Sequence, residues 1–132
     1  MKYKGRKVSK GVAVGEALVS LEPVSFYGGL DPETGYITEP NHGCFGNCLK
    51  DKIFVFPYGK GSTVGSYVIY RMKKLGTAPS AIINRETDAI IATGCVISGI
   101  PLIDLLEVDP IDVIKTGSYV RVNAYEGIVE IL

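Results

Sequence analysis

Apolar residues along this chain cluster in short runs, and most of the runs predict β-strands. Residues 11–19 (GVAVGEALV) carry small and β-branched side chains, which favours a strand with a kink at Gly15. Residues 52–57 (KIFVFP) are almost entirely apolar and end at a proline, as expected of a strand buried on both faces. Further short strands are predicted at 79–84 and 89–92, and a C-terminal hairpin at 119–124 and 128–131.

The period of the apolar positions changes after these first strands, where one stripe recurs at helical spacing. Its members are Val64, Tyr67, Val68, Met72 and Leu75. A glycine-rich turn at residues 58–63 precedes the stripe, and Ser62 or Thr63 is the expected N-cap. Gly76 follows as the expected left-handed residue at the helix end. A strand, a glycine-rich loop and a helix therefore succeed one another, and a second, short helix is predicted at 101–106.

These elements predict one α+β domain over residues 1–132, strand-rich, with one main helix after the glycine loop and a β/β/α sandwich-like arrangement. Hydrophobic residues make up 46% of the chain and charged residues 21%, which is ordinary for a globular domain that buries a core. Basic and acidic residues balance at 14 each, so no positive charge excess indicates nucleic acid or an anionic membrane as partner. Three cysteines and no apolar leader-like run behind Met1 favour a cytoplasmic protein.

The loop at residues 59–66 is the first candidate for chemistry. A glycine-rich turn that opens a helix leaves backbone N–H groups aimed at one point, where the helix dipole adds positive potential. Such a place binds an anion or stabilises a negatively charged oxygen. It is not a Walker A loop, because Lys60 is followed by Gly61 rather than by Ser or Thr. An anion site and a structural turn with a serine N-cap fit this pattern equally well.

Ser62 is the residue of this loop that could react. A serine hydroxyl is a weak base and a weak nucleophile at neutral pH, so it needs a neighbouring base or stabilisation of its alkoxide. No histidine or carboxylate lies nearby in the sequence, which leaves stabilisation by the loop amides as the open route. Serines in such loops more often cap a helix than react, and the residues alone leave both roles open.

Two basic side chains could bring positive charge to an anion at this loop. Lys60 lies within the loop itself. Arg85 closes the strand predicted at 79–84 and could reach an anionic ligand. Arg85 could equally form a surface ion pair with Glu86 or Asp88, and we expect that pairing.

His42, Cys44 and Cys48 form an H-x-C-x3-C pattern that resembles half of a metal site. The chain has no second histidine, and Cys95 is its only other cysteine. Tetrahedral zinc or an iron–sulfur cluster normally needs more ligands. We therefore expect no metal on this chain, with the cysteines acting as small buried hydrophobic residues and His42 at the surface. Cys95 has no basic neighbour to lower its pKa, so a structural role is expected for it too.

Two segments, taken in order, resemble the swivel domain of aconitase X. The first is residues 25–35 (SFYGGLDPETG), followed by His42, and the second is residues 59–66 (GKGSTVGS). The similarity extends over essentially the whole chain, and in archaeal-type members this domain is a separate small subunit. The chain is also similar to phosphohistidine swivelling domains, which supports the fold. Phosphocarrier activity needs a histidine in the loop, where this chain has serine and threonine.

The resemblance implies a hydro-lyase whose active site is built by two polypeptides. Ser62 is the implied proton acceptor, acting as an alkoxide. The implied oxyanion- or substrate-binding residues are Gly61, Thr63, Lys60, Ser66 and Arg85. A [4Fe–4S] cluster carried by a larger, aconitase-like partner subunit is implied to bind the leaving hydroxyl, and the isolated chain is expected to be inactive.

The substrate implied by the resemblance is mevalonate 5-phosphate, dehydrated to trans-anhydromevalonate 5-phosphate in isoprenoid biosynthesis. A free-standing chain of 132 residues favours this two-subunit arrangement. Fused relatives with the same loop resemble cis-3-hydroxyproline dehydratases, so another hydroxy acid is one alternative. A non-catalytic module whose loop captures a phosphate or carboxylate is the other.

Overall fold

The computed structural model describes residues 1–132, which form eight strands and three helices. The strands are β1 (Lys2–Lys4), β2 (Arg6–Ser9), β3 (Val12–Val19), β4 (Ile53–Phe56), β5 (Ala81–Asn84), β6 (Leu102–Asp104), β7 (Tyr119–Asn123) and β8 (Ile128–Ile131). The helices are α1 (Gly65–Leu75), α2 (Ala89–Ser98) and α3 (Pro110–Val113). The longest helix has 11 residues, well short of the about 20 that a bilayer-spanning helix needs.

All eight strands belong to one mixed sheet in the order β1-β8-β7-β3-β4-β5-β6-β2. The four strands β3 to β6 run parallel, and every other neighbouring pair is antiparallel. Parallel neighbours need crossover connections, and α1 and α2 provide those from β4 to β5 and from β5 to β6. The loops that lead into α1 and α2 therefore leave the same edge of the sheet, at the carboxyl ends of its parallel strands.

Each face of the sheet carries its own hydrophobic core, and β4 contributes to both. Phe54 and Phe56 pack in a cluster with buried residues of α1 and α2. Ile53 and Val55 pack in a second cluster with valines of the terminal hairpin, namely Val120, Val122 and Val129. The hairpin part of the sheet is thus folded over the parallel part, on the face opposite the helices. This is the β/β/α arrangement that the sequence predicts, and it is confirmed.

Two elements predicted from the sequence are wrong. Residues 89–92 are not a strand but the start of α2, because Asp88 caps that helix and Gly99 ends it in the left-handed conformation. Residues 101–106 contain β6 rather than a helix, since β6 is buried and paired to both β5 and β2. The domain therefore has two main helices rather than one, and α3, β1 and β2 were not predicted at all.

Close packing of α1 against α2 depends on Gly94. A Cβ atom at this position would lie 2.7 Å from the Ile69 Cδ1 and 3.3 Å from the Ser66 Cα. We expect Gly94→Val to lower the free energy of unfolding by about 2 kcal/mol, because the helices must separate to admit the side chain. Thr93→Val places the same residue at the neighbouring exposed position, where the side chain is already β-branched, and should change the free energy of unfolding by less than about 0.5 kcal/mol. Equal losses in denaturant unfolding would contradict this role of Gly94.

Candidate active site

The two segments that carry the family resemblance lie against each other in space. Val24 and Gly59 pair as an isolated parallel bridge, and the Lys60 N–H donates to the Val24 carbonyl oxygen at 3.0 Å. Beyond this bridge the Ser25 hydroxyl approaches Gly61, where an added Cβ would lie 2.7 Å from the Ser25 Oγ. Gly61 also has a φ of 93°, so both its conformation and its neighbour require glycine. Phe26 and Tyr27 lie beside Gly65, within 4.0 Å of the position its Cβ would take. Residues 25–27 therefore form one wall beside residues 59–66, and we call residues 59–66 the serine loop.

Ser62 lies exposed in the serine loop, just before α1. The helix begins at Gly65 with Val64 as its N-cap and has no side-chain cap, so the predicted capping by Ser62 or Thr63 is wrong. The Ser62 Oγ instead accepts the N–H of Val64 at 3.2 Å. No histidine or carboxylate hydrogen-bonds to this hydroxyl in the chain. The oxygen is thus open to another molecule and already faces one amide donor.

The backbone amides around Ser62 divide into used and available donors. The N–H groups of Gly65 and Ser66 donate to carbonyl oxygens within the loop, at 3.0 and 3.3 Å. The three preceding N–H groups, of Gly61, Ser62 and Thr63, have no acceptor in the chain. Unpaired amides next to a helix N-terminus are donors for an anion or an oxyanion. The serine loop therefore has free backbone donors, and the oxyanion cradle predicted for Gly61 and Thr63 stays a prediction.

Two other predicted site residues of the loop are engaged within the chain. The Lys60 ammonium lies 3.0 Å from Glu39 Oε2, in an ion pair whose side chains are 47% and 28% exposed. The Ser66 hydroxyl is buried and donates to the Ile90 carbonyl oxygen at 2.6 Å. Lys60 can therefore exchange partners at little cost, whereas Ser66 serves to attach α1 to α2.

Arg85 lies at the same edge of the sheet as the serine loop, because its N–H donates to the carbonyl oxygen of Pro57 at 3.0 Å. Its side chain pairs with Asp109, at 3.0 Å between Nη2 and Oδ2. The expected surface pairing with Glu86 or Asp88 is therefore wrong. Its partner, Asp109, directly precedes α3, a helix that was not predicted from the sequence.

The H-x-C-x3-C residues differ in burial: Cys44 is buried as predicted, whereas Cys48 is only half-buried, with its Sγ donating to the Thr34 carbonyl oxygen at 3.4 Å. His42 is buried rather than at the surface as predicted: its Nδ1 accepts the Cys44 N–H at 3.0 Å, and its Nε2 lies 3.2 Å from the Pro23 carbonyl oxygen. Burial raises the pKa of the Cys44 and Cys95 thiols, which agrees with the structural role expected for both. No three or more His, Cys, Asp or Glu side chains of the chain are grouped so as to hold a metal ion.

A shallow groove of about 370 Å³ lies beside the serine loop, between α1 and α2. Thr63, Ser66 and Tyr67 line one side, and the α2 side consists of Ala89, Ile90, Thr93 and Ile97. A larger depression of about 660 Å³ near Lys7 and Tyr125 lies at the opposite edge of the sheet. The groove at the loop is the one that adjoins the candidate chemistry.

Sequence reasoning missed Ser25 and Asp88 as residues of this site. Ser25 lies beside Gly61, and the Asp88 Oδ1 accepts the N–H of Gly59 at 2.7 Å. An aspartate directly before an apolar run is an N-cap signal, and it could have identified Asp88 as the start of a helix. Nothing local in the sequence indicates that either residue contacts the serine loop.

Comparisons with known proteins agree with the geometry. Residues 2–131 match the family model of the aconitase X swivel domain. A Methanosarcina mazei protein named phosphomevalonate dehydratase small subunit is 53% identical, covering 100% of this chain and 92% of that protein. A protein of the same name from Thermococcus kodakarensis is 54% identical, covering 100% and 97%.

The fold is also similar to a solved structure, the crystal structure of Thermococcus kodakaraensis aconitase X in its holo-form. The TM-score is 0.95 at 52% sequence identity, covering 100% of this chain and 98% of that chain. These similarities confirm the resemblance inferred from the two segments. The chain belongs to the aconitase X swivel domain family.

Proposed function

We propose that this chain is the small subunit of a phosphomevalonate dehydratase, a hydro-lyase that converts mevalonate 5-phosphate to trans-anhydromevalonate 5-phosphate. One observation carries the proposal: the chain and the small subunits of that name match over nearly their full lengths, at 53% and 54% identity. A larger subunit is the partner, and the isolated small subunit is inactive in this proposal. The pathway is isoprenoid biosynthesis.

Ser62 is the proton acceptor in this proposal. Its exposure makes it accessible to a substrate held by another subunit, and its Oγ accepts the Val64 N–H. Hydrogen bonds to the charged form of a group favour that form, so this amide and the free N–H groups nearby support an alkoxide. The alkoxide takes a proton from a substrate carbon, and the electron pair of that C–H bond forms the new C=C bond. The neighbouring C–O bond breaks, and the hydroxyl leaves with the electron pair of that bond.

An iron–sulfur cluster is expected from the aconitase X family, and we assign it to the larger subunit. The donor set of this chain does not fit such a group: Cys44 and Cys95 are buried, and no three or more His, Cys, Asp or Glu side chains are grouped around Cys48 or elsewhere. When bound, a [4Fe–4S] cluster supplies a Lewis acid for the leaving hydroxyl. In this proposal the small subunit supplies Ser62 as the base and the backbone N–H groups of the serine loop as oxyanion donors.

The phosphate of the substrate is assigned mainly to the larger subunit. Lys60 lies in the serine loop and Arg85 at the same edge of the sheet, and each already pairs with a carboxylate of the chain. Lys60 is the better secondary candidate, because its half-exposed pair with Glu39 can open at little cost. Arg85 remains a weaker one, held by Asp109.

Co-expression with the larger subunit tests the function. We expect the purified complex to dehydrate mevalonate 5-phosphate with a kcat/KM at least ~100-fold above that for cis-3-hydroxyproline, because a site built for a phosphate leaves its polar groups unpaired with the smaller substrate. Each subunit alone is the control and should show no turnover. Preference for cis-3-hydroxyproline would overturn the substrate. Phosphate binding by this chain without turnover by the complex would favour the non-catalytic module.

A further inference from the structure

The serine loop is fastened at both ends to the first turn of α2. At its start, the N–H of Gly59 donates to the Asp88 Oδ1 at 2.7 Å. At its end, the Ser66 hydroxyl donates to the Ile90 carbonyl oxygen at 2.6 Å. Of the residues between these two attachments, 60–64 are exposed and Gly65 is buried. The start of α2 therefore holds both ends of the segment that carries Ser62, in addition to the contact of Lys60 with Val24.

Asp88 performs two tasks with its two carboxylate oxygens. Oδ1 holds Gly59, while Oδ2 accepts the N–H groups of Ile90 and Ile91 at 3.1 and 3.3 Å and so caps α2. Gly59 has no room for a side chain, because an added Cβ would lie 2.9 Å from Asp88 Oδ1 and 2.6 Å from Ile91 Cγ1. One carboxylate thus joins the first glycine of the loop directly to a helix N-terminus.

The start of α2, to which the serine loop is attached, is packed in the core. Ile91 is 1% exposed and Cys95 is 0% exposed, so one side of the helix is fixed in the core. The Ile90 side chain also approaches the far end of the loop, where a Cβ on Gly65 would lie 3.2 Å from Ile90 Cγ2. Because protein interiors are close-packed and hardly compressible, a helix fixed in the core also fixes the residues that hydrogen-bond to it.

We propose that Asp88 is a positioning residue for Ser62, an inference that rests on the proposed role of Ser62 as proton acceptor. Asp88 fixes the start of the serine loop against α2, so that the Ser62 hydroxyl and the free amides of the loop keep one geometry. Displacing a reacting group by about 1 Å can cost about 100-fold in rate. Loss of the Gly59 contact should therefore lower kcat more than it changes substrate binding.

Substitutions at Asp88 in the two-subunit complex separate positioning from capping. Asp88→Ala removes both tasks, and we expect a loss of thermal stability and a kcat that is about 10- to 100-fold lower. Asp88→Ser restores a good N-cap, but its single oxygen cannot also hold Gly59. We therefore expect Asp88→Ser to recover most of the stability while its kcat for mevalonate 5-phosphate stays low and its KM changes less than about threefold.

Recovery of kcat together with stability in Asp88→Ser would overturn the proposal, because Asp88 would then only cap a helix. Asn123→Ala is the matched control: the Asn123 Oδ1 accepts the N–H groups of Tyr125 and Glu126 at 3.1 and 3.2 Å, at the opposite edge of the sheet. It removes two comparable bonds and should leave kcat unchanged.

Ser62→Ala in the same complex distinguishes failure of this inference from failure of the proposed function. If Ser62→Ala remains active, Ser62 is not the proton acceptor and the positioning role loses its basis. If Ser62→Ala is inactive and Asp88→Ser has the wild-type kcat, the proton acceptor stands and the role of Asp88 is wrong.

Discussion

Ser62→Ala is expected to lower kcat of the assembled enzyme by about 1,000-fold or more, because it removes the proposed proton acceptor. The Ser62 hydroxyl has no histidine or carboxylate partner that could act in its place, and the Ser66 hydroxyl is committed to the Ile90 carbonyl oxygen. Ser62→Ala loses the hydrogen bond from the Val64 N–H to the Ser62 Oγ, but the Gly65 N–H still donates to the Ser62 carbonyl oxygen, so the loop backbone should survive. Steady-state turnover, cluster absorbance and co-purification of the two subunits are the measurements.

Ser118→Ala provides the control for this substitution. Ser118 is half-buried just before β7, and its hydroxyl makes no hydrogen bond in the chain. It should have wild-type turnover. Subunit association and cluster absorbance should be unchanged in both variants, because neither serine is buried in a core. A Ser62→Ala enzyme within a few-fold of wild type would refute the assignment of the base.

Asp104→Asn is expected to lower the free energy of unfolding by about 2 to 3 kcal/mol. The Asp104 carboxylate is fully buried and accepts hydrogen bonds from Arg6, at 2.9 Å to Nε and 2.7 Å to Nη2, and from the Thr87 N–H at 2.7 Å. An amide replaces one acceptor oxygen by a donor, which leaves the guanidinium facing an N–H group. Chemical denaturation at neutral pH measures the loss.

The same pair makes stability depend on pH. Burial acts to raise the pKa of Asp104, but the hydrogen bonds from Arg6 and Thr87 outweigh it, so the pKa lies below its ordinary value. The stabilisation is therefore complete above the unfolded-state pKa of about 4 and is lost as the pH falls through the lower folded-state pKa. Asp104→Asn should show a shallower loss of stability on acidification than wild type.

Glu33→Gln is the control, because Glu33 pairs with Arg71 at 3.0 Å while both side chains are more than half exposed. Exposed pairs contribute less than about 1 kcal/mol. We expect a small change in stability and an acid profile close to that of wild type. Two results would contradict this role of the Arg6–Asp104 pair. One is an equal loss of unfolding free energy in Asp104→Asn and Glu33→Gln, and the other is an Asp104→Asn variant that loses stability with acid as steeply as wild type.

Elements with a strong local signal were predicted correctly from the sequence. Strands β3, β4 and β5, helix α1 and the terminal hairpin are all confirmed. Each has a continuous apolar run, a helical stripe or a turn signal, all of which depend on residues close together in the chain. Gly76 is likewise confirmed as the left-handed residue that ends α1, with a φ of 79°.

Elements whose type depends on the surroundings were predicted wrongly. The run Ala89–Ala92 is apolar without a clear period, so its local pattern does not distinguish a strand from a helix. It is a helix because the Asp88 carboxylate caps its first turn. Residues 102–104 adopt a strand because β5 and β2 lie on either side to pair with them. His42 is buried because Pro23 and Cys44 supply partners for both ring nitrogens, which its polarity alone did not indicate.

The sequence by itself determined the family and the strand, glycine loop and helix that present Ser62, because these depend on residue types at short spacing. Only the tertiary structure decided which groups surround that serine. Asp88, 29 residues beyond Gly59, reaches the loop because parallel strands β4 and β5 bring their carboxyl ends to one edge of the sheet. The exposure of Ser62 follows in the same way, since a local pattern does not specify what distant segments cover or leave open.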